Sequence, residues 1–338
     1  MKKLSLFVLL LSFAGLHAQK GPEGILFTSL QDATTITQAY MAPITKGLTY
    51  SLSNNWYHTA KVHKKFGFDI SLIANASFPS SSDEFFTVTN LKSINQPTGI
   101  LTSATLVGPE NGGSSATVTF QENGITYNDT FTMPGGIKES LPTNAIPSTA
   151  IQANLGLPWQ FEASIRFTPK VGSENVKGDL LGFGLKKEIT DWFGPIEKTP
   201  LHVSLLAAYT NMNVSYLIND NNPNDGIDIS SGSAVKLRSN SYTFQALASL
   251  NFPIFNIYGG VGYNSGSTTF KMLGKYTISY TTTANQRTIT DPLNLNFDAG
   301  GFNTTIGARL SLGFFKLFGS YTIQEYNTLN AGIAFSFR

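Results

Sequence analysis

The sequence predicts an all-β protein: a transmembrane antiparallel β-barrel of ten strands, with ten to fourteen open, and a short N-terminal helical hatch in the lumen. Three observations carry this. Long segments alternate between apolar and polar residues, as a strand with one face in oil and one toward a polar interior must. The connections between these segments alternate long and short, the pattern of outer loops and periplasmic turns. Charged residues make up only 13% of the 338, about half the share of a soluble chain, and Ser, Thr, Asn and Gly take their place.

The chain opens with Met1-Lys2-Lys3, an apolar run Leu4–Gly15 and Leu16-His17-Ala18, which together read as a secretory signal peptide over 1–18. The apolar run is too short to span a bilayer, and no later stretch is long enough to form a membrane helix. A net charge of +2 and the absence of cysteine exclude a nucleic-acid face, a disulfide scaffold and thiol or cysteine–metal chemistry. With no cysteine after the apolar run, a lipid-anchored lipoprotein is excluded too. The expected location is the outer membrane of a Gram-negative cell.

Residues 19–65 are the hatch. A helix is expected over 27–44, with Ser29 and Asp32 as an N-terminal capping box and Pro43 as the stop. The apolar content of this segment, including Phe27, Leu30 and Trp56, favours burial inside the wall.

The barrel is expected over 66–338. Its first strand sets Phe66, Phe68, Ile70, Leu72, Ala74, Ala76 and Phe78 against Gly67, Asp69, Ser71, Ile73, Asn75 and Ser77. The same alternation places strands near 146–156, 159–169, 178–190, 200–216, 235–251, 255–270, 301–312, 314–325 and 328–338. These exceed the usual soluble strand of about 5–6 residues and match a tilted membrane span. Ten strands put both termini in the periplasm. Trp159, Trp192, Tyr209, Tyr263, Tyr326 and Phe337 fall near strand ends, as interfacial girdles require. Residues 79–145 form a large external insert, with a hairpin of Ala116–Phe120 and Thr126–Phe131.

Several runs carry a resemblance. They include Tyr40-Met41-Ala42-Pro43, Asn54-Asn55-Trp56-Tyr57-His58-Thr59-Ala60-Lys61, Leu155-Gly156-Leu157-Pro158 and Gly182-Phe183-Gly184-Leu185-Lys186-Lys187-Glu188. With the terminal Gly332-Ile333-Ala334-Phe335-Ser336-Phe337-Arg338, they resemble an uncharacterised family of Gram-negative outer-membrane barrels. That family is similar to the long-chain fatty acid transporters of FadL type. The resemblance implies a barrel with an N-terminal hatch and a route for hydrophobic compounds. FadL-type barrels have fourteen strands, against the ten placed here.

The functional expectation is a channel passing small hydrophobic, fatty-acid-like molecules by passive diffusion, with no cofactor and no metal. Such a channel needs a greasy pocket inside a hydrogen-bonded wall. The candidate ligand-binding residues are Ile36, Tyr40, Met41, Leu48 and Tyr50 of the hatch, with Ile73, Leu206 and Phe318 on otherwise polar strand faces. Arg166 and Arg309 are candidates for a carboxylate head group; they belong to a lumen set with Asp69, Glu162, Lys186 and Lys316. Arg166 and Glu162, four apart on one face, are expected to pair. Asp220–Asp228 resembles a calcium loop, but Gly226 comes one place late and no bidentate Glu follows; a solvated turn is the expectation. His58 and His63 have odd spacing, which sets them on opposite faces of a strand. Enzyme chemistry is not expected; the one candidate for a barrel lipid hydrolase is His202 with Ser204. The remaining alternative is a structural or adhesive barrel that meets a partner through 79–145.

Overall fold

A computed structural model describes residues 22–94, 99–218, 226–281 and 283–337. A 3-10 segment, Pro22–Phe27, leads into α1 (Leu30–Ser53), and the first wall strand is β1 (Phe68–Ser77). The insert carries two hairpins, β2 (Phe85–Val88) with β3 (Leu101–Ala104), and β4 (Ser115–Glu122) with β5 (Ile125–Thr132). The wall resumes with β6 (Ile146–Gly156), β7 (Phe161–Gly172), β8 (Val176–Glu188) and β9 (Leu201–Leu217). After a short β10 (Ile227–Ile229) come β11 (Ala234–Asn251) and β12 (Phe255–Leu273). Next are β13 (Lys275–Tyr280), β14 (Asn285–Thr290), β15 (Leu293–Leu312), β16 (Phe315–Ile323) and β17 (Thr328–Phe337).

Ten of these strands close into an antiparallel barrel in the order β1, β17, β16, β15, β12, β11, β9, β8, β7, β6, with β6 back on β1. β10, β13 and β14 form a separate three-stranded sheet. The expected strand count of ten is observed, and the hairpin expected over 116–131 forms as β4 and β5.

The wall inverts the usual burial rule. Along β1, Phe68, Ile70 and Leu72 are exposed, whereas Asp69, Ser71 and Asn75 are buried. An apolar face that stays exposed while its polar reverse is covered suits surroundings of hydrocarbon.

Four strands show where that face ends. On β12 the outward residues run Phe255, Ile257, Val261, Tyr263, then Ser265, Ser267, Thr269, Lys271. The inward set changes the other way, from Asn256 and Asn264 to Phe270 and Met272. On β15 the outward change falls between Gly300 and Phe302; on β11 it falls between Asn240 and Tyr242, and on β9 between Asn211 and Tyr209. Aromatic pairs mark the boundary: the Tyr209 and Tyr242 rings lie 5.0 Å apart and those of Tyr263 and Phe302 lie 5.2 Å apart. At about 3.3 Å per residue and a tilt of about 40°, the chain rises about 20 Å from 255 to 263, most of the roughly 25 Å apolar band of membrane barrels.

The upper halves of β9, β11, β12 and β15 therefore belong to a cap above the band. This explains why alternation suggested a strand only from 301: β15 begins at Leu293, but its two faces exchange chemistry near Gly300. Beneath the cap lies an apolar core of Ile25, Leu26, Phe27, Ile36, Tyr40, Phe131, Phe270, Tyr276 and neighbours.

α1 departs from expectation at both ends. It begins at Leu30, with Ser29 Oγ accepting from Asp32 N at 3.2 Å. The Asp32 carboxylate does not return the bond; it accepts from Ser93 N at 2.6 Å. Pro43 does not stop the helix, which continues to Ser53. Proline removes one helical N–H and crowds the preceding turn, and here the insert grips that turn. Leu106 N donates to Tyr40 O at 3.0 Å, and Tyr40 Oη donates to Gly135 O at 2.7 Å.

With 24 residues, α1 is about 36 Å long and runs from the cap down into the barrel. The Pro22–Phe27 segment therefore sits in the cap, opposite Phe337. The expectation that both ends of the mature chain lie at the turn end is corrected for the described residues. The signal segment 1–18 lies outside them, as does the Asp220–Asp225 part of the calcium-loop candidate. Tyr326 is not part of a girdle: it is buried against Tyr50 and Asp83.

Candidate functional site

The lumen holds the expected hatch. The last turns of α1 and residues 54–65 occupy it, and the inward polar side chains of the wall bind them. Arg166, 1% exposed, donates to Leu52 O at 3.1 Å, Asn54 O at 3.1 Å and Asn55 O at 3.0 Å. It also donates to Gln152 Oε1, at 3.1 Å from Nε and 2.9 Å from Nη2. Carbonyls at a helix C-terminus have no partner within the helix and attract cations, so Arg166 caps α1 from the wall. The expected pairing with Glu162 does not form.

Above this guanidinium lies Trp56. Its ring centroid is 3.9 Å from Arg166 Cζ, and the ring also lies against β8 at Gly182 and Gly184. A Cβ at Gly182 would come within 3.0 Å of Trp56 Cη2, and one at Gly184 within 3.0 Å of Cε3. The two glycines form a shelf on which the indole rests.

Nearer the turn end, charged groups converge. His58 and His63 are not on a strand, so the parity argument does not separate them: each places Nε2 3.2 Å from Asp69 Oδ2. His63 Nδ1 lies 2.8 Å from Glu162 Oε2, and Lys186 Nζ 2.7 Å from Glu162 Oε1. Arg309 Nη1 lies 2.9 Å from His58 Nδ1. A guanidinium can only donate, so His58 Nδ1 accepts and Nε2–H donates to Asp69: the ring is neutral. Burial pushes its pKa down to about 4, in agreement with that tautomer. Lys316 Nζ donates to Ser336 Oγ at 3.0 Å. Among the described residues no cluster of three or more His, Cys, Asp or Glu has the geometry to hold a metal.

Among the described residues the wall has a weak seam between β6 and β7. β6 pairs with β7 only from Ile151↔Phe167 to Gly156↔Glu162. Residues 146–150 and 168–172 continue as strands without pairing across that seam. Each half holds a proline, Pro147 and Pro169, which cannot donate to a ladder, and β7 slips register on β8 between Thr168 and Val171. A side-chain bond crosses the gap, Thr168 Oγ1 to Thr149 O at 2.9 Å. On β1, Ala74 and Ala76 pair with Thr149 and Pro147, placing the seam at the upper part of the apolar band.

α1 backs this seam. Ser51 Oγ donates to Ser148 Oγ at 2.8 Å, and Gly47 lies so close to Ile146 that any side chain there would collide with it. An outer latch holds the same helix: Lys46 Nζ is 2.7 Å from Glu325 Oε1, and Tyr50 Oη donates to Glu325 Oε2 at 2.9 Å.

The candidate residues separate into groups. Ile36, Tyr40, Met41 and Leu48 belong to the cap core, and Tyr50 belongs to the latch. Ile73, Leu206 and Phe318 form a lower cluster with Leu52, Trp56 and Tyr57; they are the apolar interruptions of polar faces that receive the plug. Arg166 binds the helix end and Arg309 binds His58. They do not line one apolar pocket. His202 Nδ1 lies 2.5 Å from Glu188 Oε1, while Ser204 Oγ donates to Ala60 O of the plug. Sequence reasoning passed over Pro147 and Pro169. The available signal was two prolines on the two arms of one hairpin, each about ten residues from its turn.

The family described as a family of unknown function (DUF6588) matches residues 1–337. No match was found among curated proteins. Among solved structures, the chain is similar to the outer membrane protease OmpT from Escherichia coli. The identity is 10% and the TM-score 0.34, over 82% of this chain and 100% of that one. It is similar to the translocator domain of the autotransporter NalP from Neisseria meningitidis at 10% identity and a TM-score of 0.32, over 90% and 97%. With Ail, the attachment invasion locus protein of Yersinia pestis, the figures are 7% and 0.27, over 80% and 99%. Likeness at this level says nothing of function.

Proposed function

The chain belongs to that family, and from the seam and the plug behind it we propose a gated outer-membrane channel for small hydrophobic molecules. Passage is by diffusion, between the outer-leaflet side of the wall and the lumen, and α1 is the gate. The observation that carries this reading is the unpaired stretch between 146–150 and 168–172. In a bilayer every unpaired backbone group is costly, and irregular wall is tolerated where it lines a passage or is covered by protein. Here the covering protein is a helix held by side-chain bonds that can exchange for water.

An apolar molecule moving sideways never needs to cross the polar cap. The cap supports this division of labour, because the apolar residues of the insert pack onto α1. That arrangement favours clamping of the helix over adhesion through the insert.

The chain has no cysteine, so Thr149→Cys with Pro169→Cys supplies a unique pair across the seam. In vesicles loaded with a trap for a fluorescent fatty acid, oxidation of this pair should slow entry several-fold, and reductant should restore it. Entry that is indifferent to the cross-link, once mass spectrometry has shown that it formed, would remove the seam as the route.

A further inference from the structure

Above the aromatic boundary, one hydrogen-bonded row crosses four strands: Lys177↔Ser215, Ser215↔Lys236 and Lys236↔Lys271. All three lysines share the outward face of their strands with the apolar residues below, and all are exposed. Arg238, two residues below Lys236 on the same face, is exposed as well. Lys236 and Lys271 stand directly opposite one another, a like-charge placement that destabilises a sheet unless an anion joins them. Among the described residues, none of these four cations has a carboxylate within ion-pair distance. Outward acids on β8 and β15 are Asp179, which accepts from Asn213 at 2.9 Å, and Asp298, opposite Ser267, and exposed Glu174 lies in the turn before β8.

We propose that Lys177, Lys236, Arg238 and Lys271 bind the phosphorylated sugar head group of an outer-leaflet glycolipid, lipopolysaccharide. The assignment rests on the membrane orientation proposed above. Height supports it: Arg238 stands four residues above Tyr242 and Lys236 six, about 10 and 15 Å at about 2.5 Å of vertical rise per tilted residue. That is the level of head groups, not of acyl chains. Charge supports it as well, since clustered Lys and Arg at a bilayer surface attract anionic head groups, and the guanidinium forms paired bonds with phosphate. The outward aromatic rings of Tyr242 and Tyr263 lie below, where they would meet the first carbons of the acyl chains.

The test uses the full-length barrel in detergent, with lipopolysaccharide and its phosphatase-stripped form as probes and native mass spectrometry as the readout. The intact form should bind at least tenfold more tightly than the stripped one. The double variant K236Q/K271Q should lose most of that preference, and a quadruple variant adding K177Q and R238Q should lose all of it. These side chains face out above the membrane band, so a folded barrel is expected; heat-modifiable gel migration checks this, and K236Q alone gives a milder second reading. Equal binding of both lipid forms, or unchanged binding by a folded quadruple variant, would overturn the site. So would inorganic phosphate binding as tightly as the glycolipid. Fatty-acid entry plays no part in this readout, so failure here leaves the channel reading standing.

Discussion

The Arg166 guanidinium lies 3.9 Å from the Trp56 ring centroid, wall residue on plug residue, and the same cation caps the carbonyls of Leu52, Asn54 and Asn55. One side chain thus joins the end of the helix, the indole that follows it and the strand behind both. Arginine suits this place because its planar fork serves several acceptors while its face stacks on a ring.

Replacing Arg166 with Met keeps much of the volume but leaves three buried carbonyls without that donor. Buried polar groups stripped of a charged partner cost several kcal/mol, so R166M should lose about 3–5 kcal/mol in a urea unfolding series. In planar bilayers it should show frequent opening where the parent is quiet. An R166M channel as stable and as silent as the parent would show that the plug is held elsewhere.

The glycine shelf predicts a second route to the same effect. Gly182→Val would drive atoms into Trp56 and displace the indole, raising conductance. Gly178→Ala, whose nearest neighbour would be 3.4 Å away, should leave it unchanged. Tryptophan fluorescence should shift to the red in G182V and not in G178A.

His58 makes the plug sensitive to acid. Its pKa is lowered from 6.5 to about 4, so the released state takes up a proton before the seated state does. The stabilisation is therefore complete above about 6.5 and is lost as pH falls from there toward 4. Asp69, Lys186 and Arg309 act on the ring, and His63 and Glu162 complete the cluster around it. Channel opening should rise between pH 6 and pH 4, and H58Q should flatten that rise. A parent channel that stays closed at pH 4 would count against it.

The boundary at Phe302 predicts how charges are tolerated along one strand. Ile306→Lys puts a cation in the apolar band and should weaken membrane folding by about 2–4 kcal/mol. Asn296→Lys, outward on β15 but above the band, should change it by less than about 0.5 kcal/mol. Equal costs at the two positions would misplace the membrane.

Alternation from Phe68 to Ser77 was enough to reveal a wall strand, because its faces meet two unlike media along their whole length. Where β15 leaves one medium for another near Gly300, the faces exchange chemistry and the period loses its meaning; the cap was illegible for that reason. Pro43 misled for a related one: a proline ends a helix that stands alone, but here a bond from Leu106 N and one to Gly135 O hold the turns around it.

By itself, then, the order of residues determined a ten-stranded barrel, its short turns and the hydrophobic side of each strand, since these depend on neighbours one or two positions apart. Only the tertiary structure decided that the helix descends from the cap, that His58 and His63 meet on Asp69, and that β6 and β7 part above Ile151. Those outcomes depend on which distant donors and acceptors face one another once the wall has closed, and no local period records that.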